Sequence, residues 1–119
     1  MGFLHEGHLG LIREANKLTD LVIDLVIVSI FVNPTQFNEV NDYNKYPRDL
    51  ENDKLMAKKA GADILFTPVL SEMYPRGYST IVRVKKLTLP LCGAHRPGHF
   101  EGVTTVVAKL FNIIGPDIM

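Results

Sequence analysis

A single cysteine, Cys92, is all the thiol this chain carries. One cysteine cannot close an internal disulfide, which fits a reducing cytosol and a cytoplasmic location. A surplus of charge is missing too, since 13 Lys and Arg balance 13 Asp and Glu. With no basic excess and no acidic block, neither a phosphate-backbone binder nor a solvating arm is indicated, and no nucleic-acid partner is expected. Long apolar runs are also lacking. The longest, Leu25 to Val32, is interrupted by Ser29 and falls far short of the about 20 residues a membrane helix needs, so no membrane partner is expected. The opening Met1-Gly2-Phe3-Leu4-His5 has neither the basic nor the apolar region of a secretory signal.

What is present suits a soluble packed domain: 119 residues, 46% hydrophobic and 22% charged. A chain of this size buries roughly two-thirds of the surface it exposes unfolded. Leu11, Ile12, Ala15 and Leu18 recur at helical spacing, which predicts a helix over about 8–18, entered through Gly7. Leu25 to Val32, rich in Val and Ile without polar alternation, reads as a parallel strand covered on both faces. After a polar loop, Asp49 is placed to cap a second helix ending near Ala60, with Gly61 as its left-handed stop. Ile64-Leu65-Phe66 reads as a second buried strand, Ser71 to Tyr78 as a loop, and Ile81 to Val84 as a short extended piece. Val103, Val106, Val107, Leu110, Phe111 and Ile114 form an apolar stripe at steps of three and four, closed by Gly115-Pro116. Asp117-Ile118-Met119 looks like the opening of another strand. Alternating helices and strands predict a doubly wound α/β sheet, which binds ligands beyond the carboxyl ends of its strands.

Asp20-Leu21-Val22-Ile23 is repeated at once as Asp24-Leu25-Val26-Ile27. Four extra residues preserve the facing of every later side chain in a strand of period two, so the fold can accept them. Asp24 is expected at a loop or strand mouth, where its charge stays solvated.

Three segments carry the chemistry. In Met1-Gly2-Phe3-Leu4-His5-Glu6-Gly7-His8, two histidines three apart sit where a helix begins. A helix N-terminus favours a phosphate, Gly7 allows close backbone approach, and His5 and His8 can donate to phosphoryl oxygens or supply a proton near neutral pH. On spacing alone such a pair reads as surface histidines, and its place before an amphipathic helix turns it toward nucleotide binding. Asn33 and Gln36 follow the first strand, where a neutral amide that donates and accepts suits a substrate with hydroxyls and a carboxylate. The bland alternative is an Asn-Pro turn with an exposed glutamine. Arg96 and His99 precede the last helix, with Thr104 and Thr105 nearby, and suit a carboxylate or phosphate or merely cap the helix. The histidines His5, His8, His95 and His99 lack the His-Glu-x-x-His spacing that puts two zinc ligands on one helical face, so no metal site is assigned to the chain.

These segments, together with Ser29-Ile30-Phe31-Val32-Asn33-Pro34-Thr35-Gln36-Phe37, Tyr46-Pro47-Arg48, Met73-Tyr74-Pro75 and Arg96-Pro97-Gly98-His99-Phe100-Glu101-Gly102-Val103, resemble the pantothenate synthetase (pantoate–beta-alanine ligase) family in the family's own order. The resemblance covers nearly the whole chain. It implies a Rossmann-like nucleotidyltransferase-type parallel sheet with flanking helices, incomplete at both ends: a partial nucleotide- and pantoate-binding domain over 1–119, without the family's first strand and C-terminal domain. The implied reaction condenses (R)-pantoate with beta-alanine through a pantoyl adenylate, using ATP and Mg²⁺ and releasing AMP and pyrophosphate. By resemblance His8 and His5 are catalytic. Met1, Gly2, Phe3, Leu4, His5, Glu6, Gly7 and His8 line the nucleotide, and Gln36, Asn33, Arg96 and His99 face the substrates. The family implies a homodimer. The alternative is an inactive fragment or a weak pantoate- or nucleotide-binding module.

Overall fold

The computed structural model describes residues 1–19, 24–88 and 90–118. The first copy of the tandem repeat, Asp20 to Ile23, and Met119 lie outside the described residues. In chain order the elements are α1 (Glu6–Leu18), β1 (Ile27–Ser29), a 3-10 turn (Pro34–Gln36), α2 (Val40–Lys45), α3 (Leu50–Ala60), β2 (Ile64–Phe66), α4 (Leu70–Met73), a second 3-10 turn (Leu91–Ala94) and α5 (His99–Ile114). They divide into two compact units, Met1–Val32 with Pro47–Pro68, and Asn33–Tyr46 with Val69–Met119.

In the first unit, α1 and α3 pack against each other over one face of a parallel pair of strands. Ile27 and Ile64 on the other face are exposed, so among the described residues the strands are not covered on both faces as expected. β1 pairs with β2 in the register Ile27 to Ile64, Val28 to Leu65 and Ser29 to Phe66. Ile12 on α1 meets Val26, Ala57 and Ala60 in a small core, joined by Leu4, Leu9, Ala15, Val28, Ala62 and Leu65. Burying an Ile or Val of this kind is worth about 1.5–3 kcal/mol relative to exposure. The ends of α3 fall where its residues place them. The Asp49 carboxylate accepts the Asn52 N–H at 3.0 Å, and Gly61 stops the helix at φ 101°. Gly61 is required twice over, since a Cβ there would stand 2.5 Å from Asn16 Nδ2. That Asn16 amide donates to the Gly61 carbonyl at 2.9 Å and ties α1 to the end of α3. Asp24 is exposed in the loop before β1, the expected place for its charge.

The first strand is shorter than expected. The regular ladder covers Ile27–Ser29 rather than Leu25 to Val32, because its partner β2 has three residues and, among the described residues, β1 pairs with β2 alone. Bonding continues at both ends, where Asp63 N–H donates to the Val26 carbonyl and Ile30 N–H to the Phe66 carbonyl, each at 2.9 Å. The side chain of Asp63 also accepts the Val26 N–H at 2.8 Å, clamping the entry to the pair.

The second unit is organised on α5, whose Gly102, Thr105 and Val106 are buried. The expected extended piece docks on this helix through hydroxyls: Val82 N–H donates to Thr105 Oγ1 at 2.9 Å, and Thr104 Oγ1 donates to the Val82 carbonyl at 2.5 Å. Both threonines are therefore structural, and neither is free to serve an anion. Two further differences concern local helices. Val40–Lys45 is helical where a polar loop was expected, and Leu70–Met73 forms a helical turn that overlaps the start of the expected 71–78 loop. In the latter, Glu72 reaches back to the Val69 N–H at 2.9 Å, and Met73 is 1% exposed. Burial of Met73 supplies the free energy that so short a helix cannot draw from its own hydrogen bonds.

Candidate functional site

Residues Met1 to His8 form a tight turn that feeds α1. Gly2 and Phe3 both take left-handed backbone, at φ 92° and 54°. Gly2 is buried, and a Cβ there would meet Ile30 Cγ2 at 3.0 Å and Asp53 Oδ2 at 3.1 Å. Phe3 holds this conformation as an L-residue, at a cost of order 1–3 kcal/mol that its surroundings must offset. The offset comes from Asp53 on α3. Its carboxylate accepts the Phe3 N–H at 2.8 Å and the Leu4 N–H at 2.5 Å, and the residue is 2% exposed.

His5 is then the N-cap of α1 at φ −141°. Its Nδ1 accepts the Gly7 N–H at 3.1 Å, while His8 Nδ1 accepts the His5 N–H at 3.3 Å. The rings lie 4.0 Å apart between centroids. An Nδ1 that accepts a hydrogen bond leaves the neutral ring's proton on Nε2. Both imidazoles thus present an Nε2–H donor at a helix N-terminus whose His5, Gly7 and His8 N–H groups are already bonded within the turn, so the rings are the donors left to meet phosphate oxygens. Burial holds His8 below the ordinary imidazole value; the His5 ring and the chain's amino group push the same way, and Asp53 partly opposes them. This shift favours the neutral ring of His8 near pH 7. Glu6 pairs with Arg13. Beside the turn a cleft of 260 Å³ is lined by Met1, Gly2, Leu4, His8, Ile12 and Val28.

In the second unit, the 3-10 turn carries Gln36 and is gripped through its main chain. Arg96 Nη2 donates to the Gln36 carbonyl at 3.0 Å, and His99 Nδ1 donates to the same oxygen at 2.7 Å. Arg96 Nε adds a bond to Asn38 Oδ1 at 3.3 Å, and Asn38 Nδ2 donates to the Pro97 carbonyl at 3.0 Å. The structure thus brings Gln36, Arg96 and His99 together. Among the described residues the half-buried Gln36 side-chain amide forms no hydrogen bond and keeps its donors and acceptor for a ligand.

Asn33 was expected to project toward a crevice and instead lies at 0% exposure. Its Nδ2 donates to the Gly102 carbonyl at 3.1 Å, while Oδ1 accepts from Thr35 Oγ1 and Tyr74 Oη, each at 2.9 Å. A buried amide needs such partners, and beside it Thr35 approaches Gly102 so closely that a Cβ on Gly102 would stand 2.5 Å from the Thr35 carbonyl oxygen. Burial pushes the Tyr74 phenol up, aided by Tyr78 and opposed by the bonds to Thr35 and Asn33. Lys109 on α5 places Nζ 4.4 Å from the Tyr78 ring centroid and 5.4 Å from that of Tyr74, a cation–π contact. Asp53 is the residue the motifs did not single out, and Tyr74, quoted within Met73-Tyr74-Pro75, was given no role there. An aspartate at the fourth position of a helix, facing the same way as Ala57 and Ala60, was the available signal for Asp53.

The pattern of the family described as Pantoate-beta-alanine ligase matches residues 1–119. The chain belongs to this family. Among its relatives, pantothenate synthetase from Geotalea uraniireducens is 61% identical over 118 residues, covering 99% of this chain and 40% of the relative. That from Moorella thermoacetica is 60% identical over 117 residues, covering 98% of this chain and 40% of the relative. The fold of the pantothenate synthetase from Thermus thermophilus superposes with a TM-score of 0.90 at 50% identity, over 98% of this chain and 41% of that one. The pantoate-beta-alanine ligase of Francisella tularensis, solved with beta-gamma ATP and beta-alanine, also gives a TM-score of 0.90, at 45% identity, over 98% of this chain and 44% of that one. The chain thus spans about 40% of the length of the curated relatives it matches, and the helix-plus-parallel-strand arrangement is that of the family's nucleotidyltransferase-type domain.

Proposed function

We propose that this chain is the nucleotide- and pantoate-binding part of an ATP-dependent ligase that joins (R)-pantoate to beta-alanine. Pantoate carboxylate attacks the α-phosphorus of ATP, giving pantoyl adenylate and pyrophosphate; the beta-alanine amine then attacks the acyl carbon and AMP leaves. A carboxylate is a poor acyl donor until its oxygen is joined to such a leaving group, and the protein's task is positioning and charge stabilisation.

The observation that carries the reading is the pair of Nε2–H donors on His5 and His8 at the start of α1, fixed by backbone N–H bonds to both Nδ1 atoms. They are assigned to the triphosphate, where negative charge grows as pyrophosphate departs. Gly2 and Gly7 let the backbone approach the nucleotide, with Met1, Phe3, Leu4 and Glu6 completing its surroundings. The free amide of Gln36 is assigned to pantoate, with Arg96 and His99 holding its loop and Asn33 shaping it from below. The Francisella tularensis relative, solved with beta-gamma ATP and beta-alanine, supports the same ligand classes here. The two carboxylates nearest the turn are not free to hold magnesium, because Asp53 is committed to two N–H groups and Glu6 to Arg13. Mg²⁺ is therefore assigned to the phosphate oxygens of the nucleotide itself.

Pantoate-dependent exchange of labelled pyrophosphate into ATP, in this ligase at the length of its relatives, tests the reading. His8→Ala is expected to lower exchange far more than it weakens pantoate binding, and equal exchange in variant and parent would remove the role. The 40% coverage favours a second reading for these 119 residues alone, as a binding module without turnover. Saturable binding without product separates that reading from catalysis.

A further inference from the structure

We propose that Asp53 is the positioning residue of the His5–His8 turn, setting the direction of both imidazoles by holding the left-handed Gly2–Phe3 backbone with its two carboxylate oxygens. The inference rests on the nucleotide role given to those histidines. It starts from an expense. A carboxylate at 2% exposure loses its hydration, and among the described residues no side chain forms a salt bridge with Asp53, whose charge is felt by the Met1 amino group without a close ion pair. What it receives instead is one backbone N–H on each oxygen, from Phe3 at 2.8 Å and Leu4 at 2.5 Å. Charge-assisted bonds of this type are about twice as strong as neutral ones.

The geometry explains why a carboxylate is needed. Two adjacent N–H donors converge on one side chain, and only a group with two acceptor atoms and no donor satisfies both. Asparagine, of the same shape, would turn an N–H₂ toward one of them and leave two donors facing each other. Two successive positive φ angles at Gly2 and Phe3 are what allow those N–H groups to converge. Leu4 leads directly into His5, whose cap geometry and Nδ1 bond depend on where the chain enters α1. Asp53 is itself well anchored, on a helix whose Ala57 and Ala60 are in the core. The path of control runs from the core through α3 and Asp53 to the turn, and from the turn to the two rings.

Nitrogen-15 imidazole spectra of the ligand-free chain test this without reference to any nucleotide. The parent is expected to show His5 and His8 as Nε2–H tautomers, with scalar couplings from the Phe3 and Leu4 amide nitrogens to Asp53 Cγ across the hydrogen bonds. Asp53→Asn is expected to abolish the downfield Phe3 and Leu4 amide positions and to mix the tautomers of both rings. Asp63→Asn is the comparator, since it removes a carboxylate from another backbone N–H of the same unit and should leave the rings unchanged. Unmixed tautomers in a folded Asp53→Asn chain, or equal mixing in the two variants, overturn the proposal. Should Asp53→Asn fail to fold, the parent's couplings decide: their absence overturns it and their presence supports it. Titration with MgATP is a separate arm. Affinity is expected to fall about tenfold or more in Asp53→Asn, with pantoate affinity unchanged. No MgATP binding by the parent would reject the nucleotide reading while leaving the ligand-free test of Asp53 standing.

Discussion

His8 is where protonation, hydrogen bonding and function meet in one side chain. Its folded-state value lies below that of the unfolded chain, with burial as the first cause. The unfolded chain therefore binds the proton more readily over the interval between the two values, and stability rises with pH there. The contribution is present in full above the ordinary imidazole value of about 6.5 and is lost as the pH falls toward and through the depressed folded value. Proton NMR titration is expected to place the His8 midpoint below that ordinary value, and His8→Gln should flatten this part of the stability profile. A midpoint above it would contradict the environment described. At Gly2 the expectation is steric. Gly2→Ala puts a Cβ 3.0 Å from Ile30 Cγ2 at φ 92°, and urea denaturation should register a loss of about 1–3 kcal/mol.

Elements show how much of this arrangement was legible beforehand. Both ends of α3 followed from Asp49 and Gly61, because a capping carboxylate and a left-handed glycine act locally. The apolar stripe of α5 likewise announced its helix, though the helix starts at His99, one residue past the left-handed Gly98, rather than at the first valine. β2 was found at Ile64–Phe66 as read, but with Ile64 exposed and Leu65 and Phe66 half-buried rather than as a buried strand. The extent of β1 was not legible, since an apolar run records burial and a ladder needs a partner of matching length. The His5-x-x-His8 pair and Gln36 were visible as motifs, whereas the fixing of their geometry was not. Asp53 works across 50 residues to Phe3, and Asn33 across 69 residues to Gly102, distances over which sequence spacing carries no signal. Asn33 yields the prediction at this scale. Asn33→Ala removes one hydrogen bond from the Gly102 carbonyl, which sits within α5, and one from the Tyr74 hydroxyl, which also lies 3.4 Å from Thr35 Oγ1, a loss of about 0.5–1.5 kcal/mol for each bond. Thermal denaturation should show a large loss, and a change within experimental error would mean that water replaces the amide.

Across the whole molecule, the chain passes between its two units at 32/33, 46/47 and 68/69, so neither unit is a continuous stretch of sequence. The proposed nucleotide turn belongs to the first and the Gln36 loop to the second. Each can therefore be probed by its own ligand. Among the described residues no helix is long and apolar enough to cross a membrane. The most direct measurement is an amide correlation spectrum of the labelled chain, titrated with pantoate and then with MgATP, in the parent, His8→Ala and Gln36→Ala. The ligase reading predicts saturable MgATP shifts centred on residues 1–8 that His8→Ala removes, and saturable pantoate shifts around residues 33–37 that Gln36→Ala removes. Shifts that persist unchanged in both variants, or a folded parent that responds to neither ligand, would contradict it.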